Sequence, residues 1–192
     1  MGNNESGLSP RELTDLEGVT AFSQTEIKDW YKQFHKGCPS GTMTKEQFRA
    51  MYEEAFKTGD ASQFTDCVFS TYDKDGNGTI DFREFLLSTN LSTRGSIDEK
   101  LRWLFHMYDL DDNGYVTRKE VTQMCKAILA MRGDDDAVVA VAPDRLARAV
   151  FSTLDLDGDK RINEFEFILG AKGSPHILAI LDKNQLPGPE AK

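Results

Sequence analysis

Apolar residues recur at helical spacing on both sides of three short polar segments. VFSTYD, LFHMYD and VFSTLD place Phe69, Phe105 and Phe151 four residues before each segment begins. Tyr72, Tyr108 and Leu154 stand one residue before it, so each approach carries an apolar stripe at i and i+3. Beyond the segments Phe85, Val121 and Phe167 hold equivalent positions, and the segments begin 36 and 46 residues apart. The pattern predicts a repeated unit of helix, polar loop, helix. The first half adds Ile27, Trp30, Tyr31 and Phe34 at i, i+3, i+4, i+7, then Phe48, Met51, Tyr52 and Phe56, then Phe64 and Val68.

The polar segments are DKDGNGTIDFRE (Asp73 to Glu84), DLDDNGYVTRKE (Asp109 to Glu120) and DLDGDKRINEFE (Asp155 to Glu166). Positions 1, 3 and 5 are Asp or Asn in each, position 7 offers a backbone carbonyl, and position 12 is Glu. This is the EF-hand calcium loop. Calcium is a hard cation that takes about six to eight oxygens, and a terminal Glu supplies two of them. The expected ligands are Asp73, Asp75, Asn77, Thr79 and Glu84, with Asp81 acting through water. The second loop offers Asp109, Asp111, Asn113, Tyr115 and Glu120, and the third Asp155, Asp157, Asp159, Arg161 and Glu166. Gly78 and Gly114 sit at the sixth position, where the chain turns sharply. Lys160 takes that place in the third loop, which predicts a strained backbone and an added positive charge near the ion. Position 8 is apolar each time (Ile80, Val116, Ile162), as expected where two loops pair through a short β-bridge.

A fourth unit lies upstream in degraded form. In KGCPSGTMTKEQ, Gly41 keeps the sixth position and Met43 the eighth, but Lys36 stands at position 1, Cys38 at position 3 and Gln47 at position 12. A cation at the first ligand position and no closing carboxylate should abolish calcium binding, and Pro39 stiffens the turn. The unit is expected to persist because EF-hands pair.

Four such units in 192 residues predict two lobes of two hands, joined near Ser92 to Ser96: residues 1–92, residues 97–175, and a C-terminal helix and tail over 176–192. The formal charge of −9, which three Ca²⁺ would bring to −3, argues against nucleic-acid binding. Cys38, Cys67 and Cys125 cannot all pair and suit reduced thiols in the cytosol. No apolar run reaches the roughly 18 residues of a membrane span. No nucleophile elbow, phosphate loop or zinc spacing points to catalysis. The connector from Gly133 to Asp144 is acidic and then apolar, either a loop or a helix extension, and the tail KNQLPGPEAK is short and polar.

The chain starts MGNNES, so loss of Met1 would expose Gly2 with Ser6 at the favoured position for N-myristoylation. One myristoyl chain gives a membrane affinity on the order of 10⁴ M⁻¹, so stable anchoring needs a second contribution. Lys28, Lys32 and Lys36 form a basic stripe at i, i+4, i+8, which fits either a membrane-facing surface or a solvated helix face.

Together MGNNES, the CPSG inside a disabled first hand, GDASQF at Gly59 to Phe64, DGNGTIDFREF, STRGS and MYDLDDNGY resemble the neuronal calcium sensor family over nearly the whole chain. Within it, GDASQF, FREF, STRG and MYDLD look most like the visinin-like, neurocalcin and hippocalcin branch. The resemblance implies an all-α fold of four EF-hands in two paired lobes, with short β-bridges between paired loops. It implies no enzyme but a cytoplasmic calcium sensor, reversibly membrane-associated through a myristoyl group that calcium ejects as the lobes rotate about Gly95. It implies three calcium ions, with magnesium able to take the loops in the calcium-free state. It further implies a groove for a target helix (of a kinase, guanylate cyclase or channel), for which Trp30, Phe34, Phe48, Tyr52, Phe56, Phe64 and Phe85 are the expected residues. A homodimer stays open. The alternative is a calcium buffer without a specific target, which would leave the lipid signal and the aromatic excess unexplained.

Overall fold

The computed structural model describes residues 7–57, 59–133, 143–175 and 178. Gly2, most of the acidic-apolar connector and the polar tail lie outside these residues. Among the described residues the chain is helical apart from two short ladders. α1 (Pro10–Val19) precedes the first hand, which is α2 (Gln24–Gly37), β1 (Thr42–Thr44) and α3 (Lys45–Ala55). The second hand is α4 (Ser62–Tyr72), β2 (Thr79–Asp81) and α5 (Phe82–Arg94). The third is α6 (Ile97–Tyr108), β3 (Tyr115–Val116) and α7 (Arg118–Arg132), and the fourth α8 (Pro143–Leu154), β4 (Ile162–Asn163) and α9 (Glu164–Gly173).

The ladders join the hands in pairs. β1 lies antiparallel to β2 with Met43 opposite Ile80, and β3 to β4 with Val116 opposite Ile162. All four of these side chains are buried, which is why the eighth loop position is apolar. The disabled loop does pair with the second one.

Each exit helix begins with the same local device. The ninth loop residue is its N-cap and the twelfth residue its third position, and the two side chains bond each other's backbone N–H. Thr44 with Gln47, Asp81 with Glu84, Thr117 with Glu120 and Asn163 with Glu166 all do so. The residue at loop position 12 is therefore also the one that starts a helix. α1 is begun likewise by Ser9 and Glu12, with Pro10 in its first turn, and buries Leu13 and Leu16. The linker after it is held to α5: Asn90 Oδ1 accepts from Ala21 N at 2.8 Å, and Arg94 donates to Ala21 O at 2.6 Å while lying over the Phe22 ring.

Between the lobes the chain narrows to Gly95 and Ser96, since α5 runs to Arg94 and α6 starts at Ile97. A Cβ on Gly95 would lie 2.5 Å from Leu91 O, so the turn tolerates no side chain. The lobes also pack directly, with α4 against α6 and α7. Tyr72 meets Trp103 edge to face at 6.1 Å. Asp60 N donates to Ala130 O at 2.8 Å, and a Cβ on Gly59 would fall 2.0 Å from Met131 O. The GDASQF segment is thus shaped by the end of α7: its glycine lets the two backbones touch. Cys38 and Cys125 are buried free thiols and Cys67 is half-buried. Burial pushes the Cys125 thiol up to about 11.

Candidate metal centres

The three complete loops each gather carboxylates into a compact cluster: Asp73, Asp75 and Glu84; Asp109, Asp111 and Glu120; Asp155, Asp157 and Glu166. In each set the ligand oxygens lie within 4.8 Å of one another. Glu84, Glu120 and Glu166 are buried. Burying like charges together is costly unless something positive offsets it, and the donors reaching these glutamates are uncharged. Glu84 Oε1 accepts from Lys74 N at 2.8 Å and Oε2 from Asp81 N at 2.9 Å. Glu120 accepts from Leu110 N at 3.0 Å and Thr117 N at 2.7 Å, and Glu166 from Leu156 N at 3.2 Å and Asn163 N at 3.0 Å. Burial, together with Glu120 and Asp111, holds the Asp109 carboxyl above its ordinary range despite backbone bonds from Gly114 and Asn113. An all-oxygen, multiply anionic pocket suits a hard divalent cation.

Positions 4 and 6 carry the turn. Their φ values are +68° and +85° at Gly76 and Gly78, +53° and +82° at Asp112 and Gly114, and +78° and +71° at Gly158 and Lys160. Lys160 does adopt the left-handed backbone that its place demands. The third loop also bonds differently. Asp73 and Asp109 each accept from the N–H groups of positions 5 and 6, at 2.8 to 3.1 Å. Asp155 accepts instead from Gly158 N at position 4, at 2.9 Å.

In the disabled loop Gly41 keeps φ +86°. Pro39 stands at position 4, where a proline ring holds φ near about −65° and forbids the backbone of the other three loops. Ser40 Oγ donates to Thr42 O at 2.9 Å and so engages the carbonyl that position 7 would offer an ion. Gln47 keeps the capping role, accepting from Thr44 N at 2.9 Å, and donates through Nε2 to Gly37 O at 3.5 Å.

Beside this loop lies a cleft of about 350 Å³. Of the seven residues expected in a groove, Trp30, Phe34 and Phe85 line it. Phe48, Tyr52 and Phe64 do not: they are almost fully buried core, and Phe56 is half-buried and stacked on Tyr52. The disabled loop supplies part of the wall through Gly37, Cys38, Met43 and Gln47. Lys28, Lys32 and Lys36 are exposed, Lys32 within 3.9 Å of Asp29. The N-caps at loop position 9 were not recognised in the sequence, although Ser, Thr, Asp or Asn followed three residues later by Glu or Gln announces them.

The fold and its paired loops define an EF-hand protein of four hands, three of them carrying an acidic cluster that could hold a metal ion. Two family models, each described as an EF-hand domain pair, match the chain, one at residues 39–90 and the other at residues 98–172. Human recoverin is 33% identical over 186 residues, covering 94% of this chain and 93% of its own. Neuronal calcium sensor 1 of Lymnaea stagnalis is 37% identical, covering 94% and 96%. Guanylyl cyclase-activating protein 2 of Lithobates pipiens is 31% identical, covering 93% and 92%. The chain belongs to the neuronal calcium sensor family. No helix among the described residues is long and apolar enough to cross a membrane.

Proposed function

We propose that this protein is a calcium sensor that passes the calcium signal to a membrane and to a target helix. The observation carrying this is the double duty of Glu84, Glu120 and Glu166, each a buried member of an acidic cluster and the third residue of the helix leaving it. The ligand sets named above would hold calcium, with magnesium competing at low calcium. When bound, the ion neutralises the clustered carboxylates and so sets where position 12 sits. Because Glu84 heads α5, a shift there moves Phe85 and with it one wall of the cleft. Trp30, Phe34 and Phe85 are the contacts through which that cleft would take an apolar helix; Phe48, Tyr52 and Phe64 support it from the core. Gly2 is proposed to carry a myristoyl group.

The test is calorimetry with Glu120→Gln, expected to remove one calcium from the stoichiometry, and co-sedimentation with liposomes of protein co-expressed with an N-myristoyltransferase. Sedimentation only with calcium, lost in Gly2→Ala, is expected; equal partition with calcium and with chelator would leave a buffer or a membrane-independent sensor.

A further inference from the structure

We propose that the cleft between α4 and α7 is a binding site for a small anion bearing two or more phosphoryl groups. It has a volume of about 540 Å³ and is lined by Gln63 of α4 and by Arg118, Lys119, Thr122, Gln123 and Lys126 of α7. Three cations line the space beside the Gln63 and Gln123 amides and Thr122, whose hydroxyl donates to Arg118 O at 2.9 Å, and no carboxylate lines it. In a chain of net charge −9 that is unexpected.

Several basic side chains elsewhere on the surface already hold a carboxylate. Lys45 and Arg49 share Asp66, Arg83 holds Asp15, Arg94 holds Glu26, Arg102 holds Glu164 and Lys172 holds Asp98. Arg118, Lys119 and Lys126 pair with no carboxylate among the described residues. Arg118 and Lys119 stand, moreover, in the first turn of α7, where the helix dipole disfavours positive charge. That arrangement is unfavourable on its own, and an anion in the cleft would offset it.

The shape selects the class of ligand. The volume is in the range of small-molecule sites, and Arg118 to Lys126 spans about 12 Å along the helix axis. Donors come from two walls, with Gln63 on one and the α7 residues on the other. A phosphoryl group offers three oxygens out of one plane and can meet both walls, with the Arg fork and the Lys point charges suited to it. The walls are held at this spacing by the Asp60 N to Ala130 O bond and by Gln123 Nε2 against Cys67 Sγ at 3.8 Å. Because Gln63 belongs to the first lobe and the other donors to the second, the ligand would bridge the lobes.

The test titrates inorganic pyrophosphate into the full chain in calcium-free buffer, observed through the side-chain amide NMR signals of Gln63 and Gln123. Saturable shifts at both are expected, weakened about tenfold or more in Lys119→Gln/Lys126→Gln and left within about twofold in the charge-matched control Lys28→Gln/Lys32→Gln. Flotation with phosphatidylcholine vesicles containing phosphatidylinositol bisphosphate assigns the source. Flotation lost in the α7 variant means a lipid headgroup, and pyrophosphate binding without flotation means a soluble phosphate. Absence of shifts, equal loss in the control, or shifts produced by a glutamate-rich peptide but not by pyrophosphate would overturn the proposal.

Discussion

The first and second loops are partners in one ladder and differ in almost everything but their scaffold. Both keep glycine at position 6 with φ near +85°, both pair residue for residue across β1 and β2, and both begin the next helix with the same reciprocal cap. Lys36, Cys38, Pro39 and Gln47 nevertheless stand where Asp73, Asp75, Gly76 and Glu84 do. What holds an EF-hand pair together is therefore separable from what binds the ion. The pairing rests on Met43 and Ile80, both buried, and on capping bonds that an amide makes as well as a carboxylate. The first loop lends its own residues to the cleft beside it.

The largest effect expected from this comparison comes from making the second loop resemble the first. Glu84→Gln keeps the cap, as Gln47 shows, but removes a charge and the bidentate closure. Calcium affinity at that loop should fall roughly 100-fold, about 3 kcal/mol, while helix content in chelator stays unchanged. Calorimetry and circular dichroism check both halves. A loss of helix in chelator would mean that Gln47 is not a fair guide to position 12.

The reverse experiment asks which difference silences the first loop. Lys36→Asp/Cys38→Asp/Gln47→Glu restores the charges while Pro39 still forbids the left-handed fourth position. Adding Pro39→Gly should strengthen calcium binding at this loop about tenfold, the worth of roughly 1.4 kcal/mol. Equal affinity with and without the proline would show that backbone conformation at position 4 is not what matters.

These loops were also where the sequence was most readable. A ligand every second residue, a glycine at the sharp turn and an apolar eighth position follow from local geometry, so the clusters and the Met43–Ile80 pairing could be anticipated. The groove was read less well, because a helical stripe of aromatics looks the same whether it faces a cleft or a core. Phe48, Tyr52 and Phe64 share their spacing with Phe34, and only packing against Phe69 and Tyr72 decides that Phe48 is interior. α1 went unnoticed: it buries only Leu13 and Leu16, although Ser9, Pro10 and Glu12 spelled out its start. The contact of Gly59 with the end of α7 has no local signature at all, since its partner lies some seventy residues away.

A smaller effect is expected in the third complete loop. Lys160 pays for a φ of +71° that glycine adopts freely. Lys160→Gly should stabilise the protein in chelator by about 1 kcal/mol and raise calcium affinity at that loop severalfold by removing a nearby cation. Urea unfolding and calorimetry measure the two gains. If stability fell instead, the left-handed conformation at position 6 would not be a source of strain.

The smallest effect concerns what ties the two hands of the first lobe together away from their loops. Glu26 lies on the helix entering the silent hand and Arg94 on the helix leaving its partner, and the two are paired. The Arg94 hydrogen bond, aided by the backbone and side chain of Ser23, lowers the Glu26 carboxyl from its ordinary 4.5 to about 2. A carboxylate whose pKa is depressed by folding contributes its stability above the unfolded value, and that contribution is lost as pH falls from about 4.5 toward 2. Arg94→Gln should move the Glu26 midpoint back up, though not fully, because Ser23 still donates to it. The stability of the variant should correspondingly fall less steeply across that interval. Carboxyl-carbon NMR titration reads the midpoint directly. A midpoint unmoved by the substitution would assign the depression to the Ser23 cap alone and leave the two hands joined by their ladder and apolar core.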